Sequence, residues 1–394
     1  MIELFLEIIM IVSLLCIFWT YAGYPLSLWL LSKLIEHRKI LYDCTFFPVV
    51  TLMVMTYNEA RTIEEKIKNS LAIEYPADKM EIMVVDSAST DGTPDIVKKF
   101  KNVRLMEQDS RKGKASAINF GIEHARGEII IITDGNTMFN KEAVSRLVRH
   151  FADFNVGGVS GRFEAYASKN TSISRSVSFY WRLEDYLRKW EGYIDSPVTM
   201  AGPISAFRKD ILGHVDETNL VEDFDIAVSS RRKGYRIIYD PSAIAYEPAP
   251  SVLKDLFIQK KRIVIGTLQT LMKHRTMFFN PKYGWYGTFI LPSHKLFQML
   301  SPFFFASLFI SSLIFYITTR STAASFILYL QLIGYVLSII SHVILNFRSN
   351  ITIPCLSLTR YLAILQIIIL SGWRDYIIGN YQVTWKKIES SREL

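Results

Sequence analysis

Three acidic clusters stand where a sheet protein does its chemistry. Asp86 ends the run Ile82-Met83-Val84-Val85 and opens Ser87-Ala88-Ser89-Thr90-Asp91-Gly92-Thr93. Asp134 ends Ile129–Thr133 and opens Gly135-Asn136, and Glu222-Asp223-Phe224-Asp225 follows about 90 residues later. The first two follow apolar, β-branched runs, which places them at the C-terminal ends of buried strands, where open α/β sheets receive ligands. A carboxylate there can accept from a nucleobase N–H, hold a hard cation or take a proton.

Each cluster has a chemical and a plain structural reading. Asp86 with Ser87, Ser89 and Thr90 forms a polar loop suited to a uracil and a ribose. The same pattern makes an Asx-turn and a helix cap, with Asp91-Gly92-Thr93-Pro94 opening the next helix, and for Asp91 alone the cap is preferred. Asp134 can hold Mg²⁺ or Mn²⁺ against a diphosphate. The expected Asp-x-Asp is here Asp134-Gly135-Asn136, so Asn136 offers an amide oxygen or a hold on a metal-bound water; a strand-end turn is the alternative. Asp223 can act as the base that takes a proton from an attacking hydroxyl. An acidic first helical turn is the other reading, preferred for Asp225. Arg111, Lys112 and Lys114 around Gly113, and Gln259-Lys260-Lys261-Arg262, are candidate partners for a diphosphate, each equally readable as solvated charge.

These residues need a scaffold, and the chain supplies one from Pro48 onward. Strand signals at 49–56, 81–85, 103–108 and 128–133 alternate with helical spacing at 60–71, 93–99 and 114–124. That alternation predicts an α/β fold with a mainly parallel sheet and right-handed crossovers. Two aromatic and basic stretches, Ser174–Trp190 and Asp255–Tyr286, read as interfacial amphipathic helices or as helices packed on the sheet.

Apolar spans bracket this domain. The 394 residues have a mean hydropathy of +0.19 and 21% charged residues, too apolar for an ordinary soluble protein. Ile8–Leu31 is long enough to cross a bilayer. A signal peptide is disfavoured by the absence of a basic leader and of a small-residue cleavage site. Later runs cover about 300–318, 323–345 and 351–373, the last containing Arg360, which should face protein, water or headgroups. Residues 1–32 hold no Lys or Arg, whereas 33–288 hold 37 of the 45. Lys33, Arg38 and Lys39 therefore put the central domain in the cytoplasm. Four crossings would leave the C-terminus outside, against the basic Trp385-Lys386-Lys387, so the last run is interfacial or re-entrant, or the rule fails. Cys16, Cys44 and Cys355 have neither metal nor redox spacing. The net charge of +8 suits an anionic membrane surface and an anionic ligand; no nucleic-acid motif accompanies it.

Tyr57-Asn58-Glu59, Asp86 with Asp91-Gly92-Thr93, Gly113-Lys114-Ala115 with Asn119, Thr133-Asp134-Gly135-Asn136, Gly202-Pro203-Ile204-Ser205-Ala206-Phe207-Arg208, Glu222-Asp223 and Gln259-x-x-Arg262 occur in one order. In that order the chain resembles family 2 glycosyltransferases over about residues 45–290. More narrowly it is similar to the membrane-integrated branch with hyaluronan, chitin, poly-N-acetylglucosamine and cellulose synthases. The resemblance implies a GT-A nucleotide-sugar-binding fold, a UDP-sugar donor, Mg²⁺ or Mn²⁺, and inversion at the anomeric carbon. It implies that Tyr57, Glu59, Asp86, Asp91, Lys114, Asp134, Gln259 and Arg262 bind the donor. By the same resemblance Asp134 and Asn136 serve the metal, Asp223 is the base, and Gly202, Pro203, Ser205 and Glu222 meet the acceptor. Two positions depart from the pattern: Asn136 replaces an aspartate, and Ile263 stands where processive enzymes carry a Trp that stacks near the acceptor sugar.

The expected layout is a membrane helix in 1–35, a cytoplasmic GT-A domain in 45–250, and an interfacial segment in 251–290. A C-terminal membrane region in 291–375 with two or three helices and a tail in 376–394 complete it. The expected activity is transfer of a sugar from a UDP-sugar to a growing polysaccharide at a cell membrane, among membrane lipids, with a homo-oligomer left open. The alternatives are single-sugar transfer to a polyprenyl phosphate or lipid-linked oligosaccharide, and an inert scaffold or export subunit, against which Asp223 speaks.

Overall fold

The computed structural model describes residues 1–35, 41–166, 171–250, 252–347 and 354–384. The readings of Arg38 and Lys39, and of the basic Trp385-Lys386-Lys387, lie outside the described residues. The strands are β1 (Val50–Thr56), β2 (Met80–Asp86), β3 (Arg104–Glu107), β4 (Ile129–Asp134), β5 (Met138–Phe139), β6 (Val156–Tyr166), β7 (Ser205–Arg208) and β8 (Arg236–Pro248). They form one sheet in the order β3-β2-β1-β4-β7-β6-β8-β5.

The expected parallel core is present: β3, β2, β1 and β4 run parallel, joined by the helices Ile63–Leu71, Thr93–Val97 and Lys114–His124. The two faces follow the period of two that pleating imposes. Val50, Leu52 and Val54 meet Ile129 and Ile131 on one face, while Met53 and Met55 meet Ile130 and Ile132 on the other. Register then fixes the ligand edge. Asp86 pairs with Thr56, and Asp134 with Met55, so the two strand-end acids flank the start of the Tyr57-Asn58-Glu59 turn.

Two strands differ from a purely parallel sheet: the short edge strand β5 is antiparallel to β8, and β7 lies inside the sheet. β7 is antiparallel to both β4 and β6, with Ser205 opposite Ile132. The chain thus enters β7 at the edge where β4 ends, and Gly202 and Pro203 arrive beside Asp134's end of the sheet.

The Ser172–Ile194 helix packs on the sheet, one of the two readings of its sequence. Val177, Leu187 and Ile194 are buried, and Trp181 packs on Phe163 with ring centroids 4.8 Å apart. Phe179, Leu183 and Tyr186 form an exposed apolar stripe on the other side. The second aromatic and basic stretch supplies the helix Leu253–Lys273. Its Lys273 and His274 bind Asp225 at 2.8 and 3.1 Å, anchoring it to the helix Glu222–Arg232.

Among the described residues four helices are long and apolar enough to cross a membrane: Ile2–Leu34, Tyr286–Thr319, Thr322–Leu345 and Leu356–Ile377. The first two are laced together by Ser13–Ser307, Trp19–Ser293 and Tyr21–Ser301 hydrogen bonds of 3.1–3.2 Å. The fourth touches the sheet domain's helices along its length. Near its start, Tyr361 packs 6.2 Å from Tyr180. Near its end, Asp375 pairs with Lys261, and Gly372 abuts Val264.

Gly127 sits where β4 begins. A Cβ there would lie 2.3 Å from Thr51 N and 2.5 Å from Val50 C, both backbone atoms of β1 that cannot yield. Gly127→Ala should destabilise the domain by about 1–3 kcal/mol, the cost of overpacking, read as a lowered unfolding temperature of the solubilised protein.

Candidate active site

A cleft opens at the C-terminal edge of β1, β2 and β4. Its space, the open mouth included, is about 1070 Å³. Of the residues singled out from sequence, Tyr57, Glu59, Arg111, Lys114, Asp134, Asn136, Gln259 and Arg262 line it. The i, i+3 spacing of Gln259 and Arg262 puts both on one face of their helix. Lys260 and Lys261 point elsewhere: Lys260 lies 3.8 Å from the Tyr180 ring centroid, and Lys261 is paired with Asp375. Lys112 is exposed.

Lys114 joins the parts. Gly113, at φ +100°, turns the chain into the helix Lys114–His124, whose N-terminal amides suit an anion. The Lys114 ammonium lies 2.7 Å from Asp134 Oδ1 and 3.1 Å from Glu222 Oε1. Burial opposes its charge, but Asp134 and Glu222 outweigh burial and hold its pKa above the usual lysine value. Arg262 is also inside; burial lowers its pKa while Glu222, Asp134 and Asp223 support its charge.

Asp223 begins the helix Glu222–Arg232 and is partly exposed. Its Oδ1 accepts from the Phe224 N–H at 2.8 Å. Its Oδ2 faces Gly202, where a Cβ would stand 2.9 Å away; only a glycine leaves that oxygen room. Burial first, and the Glu222 charge second, push the Asp223 pKa up to about 6 against the pull of Lys114 and Arg262. Pro203 is half-buried and Ser205 buried at the start of β7; like Gly202, Glu222 and Asp223, they stand behind the cleft lining rather than in it.

Asp86 and Asp91 lie outside the cleft lining as well. The Asp86 carboxylate accepts from Thr56 Oγ1 at 3.0 Å, Ser89 Oγ at 2.5 Å and Ser89 N at 2.8 Å. Asp91 accepts from Thr93 N, Thr93 Oγ1 and Ala60 N at 3.1, 2.5 and 3.0 Å. Both acids therefore shape the loop that presents Ser87 to the cleft. Asn58 and Ala88, at φ +54° and +57°, carry the left-handed strain that such a loop stores.

For a metal, the donor set is one strand-end carboxylate and one amide. Among the described residues no three His, Cys, Asp or Glu side chains gather into a metal cage. Asn136 is buried and its amide nitrogen has no hydrogen-bond partner, so nothing pins the amide against turning its oxygen to a ligand. Carboxylate, amide oxygen, water and phosphate oxygens suit Mg²⁺ or Mn²⁺, and the residues present fit such an ion.

Three contributors escape sequence reasoning. Glu247, from β8, lines the cleft and accepts from Thr137 Oγ1 at 3.0 Å. Thr384 lines it from beyond the last helix, and the neighbouring Val383 leaves only 2.7 Å to a Cβ built on Gly113. Lys66 is fully buried and donates to Thr133 Oγ1 at 3.0 Å and Thr137 O at 2.6 Å. It braces the turn that carries Asp134 and Asn136, and burial lowers its pKa to about 7. Helical spacing alone marks Lys66 as one more polar residue of an amphipathic helix.

The mixed, mostly parallel sheet, with a strand-end acid facing a lysine at its edge, is that of a GT-A fold. Residues 51–215 match the glycosyl transferase family 2 model, and this stretch is a family 2 glycosyltransferase domain. The chain is 30% identical over 251 residues to the probable glycosyltransferase YdaM of Bacillus subtilis (strain 168), covering 60% of this chain and 59% of that one. It is 26% identical over 259 residues to the poly-beta-1,6-N-acetyl-D-glucosamine synthase of Staphylococcus aureus (strain COL), covering 64% and 62%. The chain thus spans about three fifths of the length of these curated relatives. A mannosyltransferase, PcManGT from Pyrobaculum calidifontis in complex with GDP-Man and Mn2+, superposes with a TM-score of 0.73 at 26% identity, over 95% of this chain and all of that one.

The Asp223 carboxyl, with a pKa of about 6, is ionised and able to take a proton above that pH and is neutral below it. Sugar transfer should therefore fall as pH drops through about 6, a limb well above the usual aspartate range. Asp223→Asn should cost about 10²–10⁴-fold in kcat and erase that limb from the residual rate, with nucleotide affinity retained. An unchanged acid limb in the variant would remove Asp223 from the proton transfer.

Proposed function

We propose that this protein is a membrane-embedded, inverting glycosyltransferase that moves a sugar from a UDP-sugar to a growing polysaccharide. The observation that carries the reading is the Lys114 bridge, which holds Asp134 and Glu222 within 2.7 and 3.1 Å of one ammonium. It sets the donor's diphosphate site beside the base.

The roles follow from that arrangement. The ribose and base lie along Tyr57, whose ring is stacked 3.8 Å from Arg111, and along the loop shaped by Asp86. Lys114, Gln259, Arg262 and the amides of the Lys114–His124 helix hold the diphosphate. Asp134 and Asn136 hold Mg²⁺ or Mn²⁺, which when bound neutralises charge on the departing phosphate. The acceptor hydroxyl enters past Gly202, with Pro203, Ser205 and Glu222 shaping that side. Asp223 takes its proton as the oxygen bonds to the anomeric carbon and the carbon–phosphate-oxygen bond breaks. One displacement inverts the centre, and UDP leaves.

A second reading, single addition to a lipid-linked acceptor, is favoured by Ile263. Ile has bulk but no planar face, whereas sugars stack on indole rings. Membranes incubated with a panel of labelled UDP-sugars, with product sizing, test both. Transfer from one UDP-sugar, lost with EDTA and restored by Mn²⁺, is the expected outcome. Long products support the polysaccharide reading; short products that Ile263→Trp lengthens support the second. Transfer that persists in EDTA would remove the metal role from Asp134, and transfer from none of the panel would overturn the UDP reading.

The reading extends to the bilayer. Ile2–Leu34, Tyr286–Thr319 and Thr322–Leu345 cross the cell membrane, and Leu356–Ile377 lies along its cytoplasmic face, the catalytic domain being cytoplasmic. The contacts of Tyr361, Gly372 and Asp375 with that domain's helices support this, and the basic tail then agrees with the positive-inside rule. Single cysteines in a cysteine-free background should show it with an impermeant maleimide. Asn380→Cys should label from the same side as Lys112→Cys, and Thr322→Cys from the other. Labelling of 380 together with 322 would restore a fourth crossing.

A further inference from the structure

A second concavity lies on the side of the Leu253–Lys273 helix turned away from the donor cleft. Ile339 and His342 of the Thr322–Phe347 helix form one wall, Arg360 and Ile367 of the Pro354–Ile377 helix form the other, and Phe257 forms the floor. At about 100° per residue, Phe257 stands about 140° around the helix from Arg262, about 160° from Gln259 and about 100° from Ile258, the residues of this helix that line the cleft. The groove is therefore separate from the site of transfer.

Its lining is apolar apart from a few groups, and Arg360 is the charged one, 5% exposed. An arginine buried between apolar helices at the membrane surface is costly and marks a candidate site. Its guanidinium presents a fork of five donors that matches a phosphate bidentately and leaves donors over for other partners. His342 is exposed on the facing helix and adds a donor. Basic pockets between membrane helices at the cytoplasmic side take phosphate headgroups, and the flanking apolar walls suit an acyl chain. An acceptor is the poorer occupant, because its reacting end must reach Asp223 on the other side of the Leu253–Lys273 helix.

We propose that this groove binds an anionic phospholipid, with its phosphate on Arg360 and His342 and an acyl chain along Ile339, Phe257 and Ile367. The lipid fastens the Thr322–Phe347 helix to the two helices beneath it.

The test places the full chain in nanodiscs of dioleoyl phosphatidylcholine with one fifth dioleoyl phosphatidylglycerol, about 20% by design to stay near natural anionic fractions, and counts retained lipids by native mass spectrometry. Wild type should keep phosphatidylglycerol in preference to phosphatidylcholine. Arg360→Gln should lower that retention at least about tenfold, the effect of losing one charge-assisted contact, and Arg360→Lys should restore part of it. Ile367→Trp, an exposed position that leaves the charge in place, should block the chain and lower retention too. Equal retention of the two lipids by wild type would overturn the proposal. So would undiminished retention in folded Arg360→Gln and Ile367→Trp, or displacement of the phosphatidylglycerol by an isoprenyl phosphate.

Discussion

The Lys114 ammonium is the point on which the site's arrangement rests. Taken out of water alone it would shed its proton; between Asp134 and Glu222, at 2.7 and 3.1 Å, it keeps it. The converse matters as much. Asp134 ends a strand of the parallel core and Glu222 starts a helix, and both meet the one ammonium, so without the cation their charges, with Asp223, would repel. Breaking a buried ion pair from one side leaves an uncompensated charge and typically costs about 3–5 kcal/mol. The position is reachable because Gly113 adopts φ +100° and aims the first residue of the Lys114–His124 helix into the gap.

Two aspartates at similar strand or helix ends come to behave differently because of their neighbours. Asp86 is enclosed by Thr56 and Ser89, whose hydroxyls and amide fill both oxygens. Asp223 receives one amide at Oδ1 and has Glu222's charge beside it. The first is spoken for by its own loop; the second has an oxygen and a raised proton affinity to offer. Residue type alone could not separate them.

Much of this was legible in the sequence, for a physical reason: parallel strands and their helices are local in the chain. The helix at 114–124 and the strand ends at Asp86 and Asp134 follow from short-range patterning, and the Gln259/Arg262 face follows from helical period. What was not legible depends on contacts between distant segments. The antiparallel β7 pairs residues some 75 apart in sequence with β4. Lys66 reaches Thr133 and Thr137 from another helix, and Glu247 and Thr384 arrive from β8 and from beyond the last helix. The contacts of the fourth apolar run with the sheet domain's helices were likewise not legible, because hydropathy reports what a helix is made of and not what it packs against.

Thr384 in the cleft wall has a consequence for how the protein is made. It follows every membrane-seeking helix in chain order. A nascent chain can complete its sheet and collect Asp134, Lys114 and Asp223 long before that residue emerges from the ribosome. The wall over Gly113 closes only after those helices have been synthesised. Completion of the cleft is thus tied to synthesis of the whole apolar C-terminal region, so that a partly made chain does not yet present the full cleft.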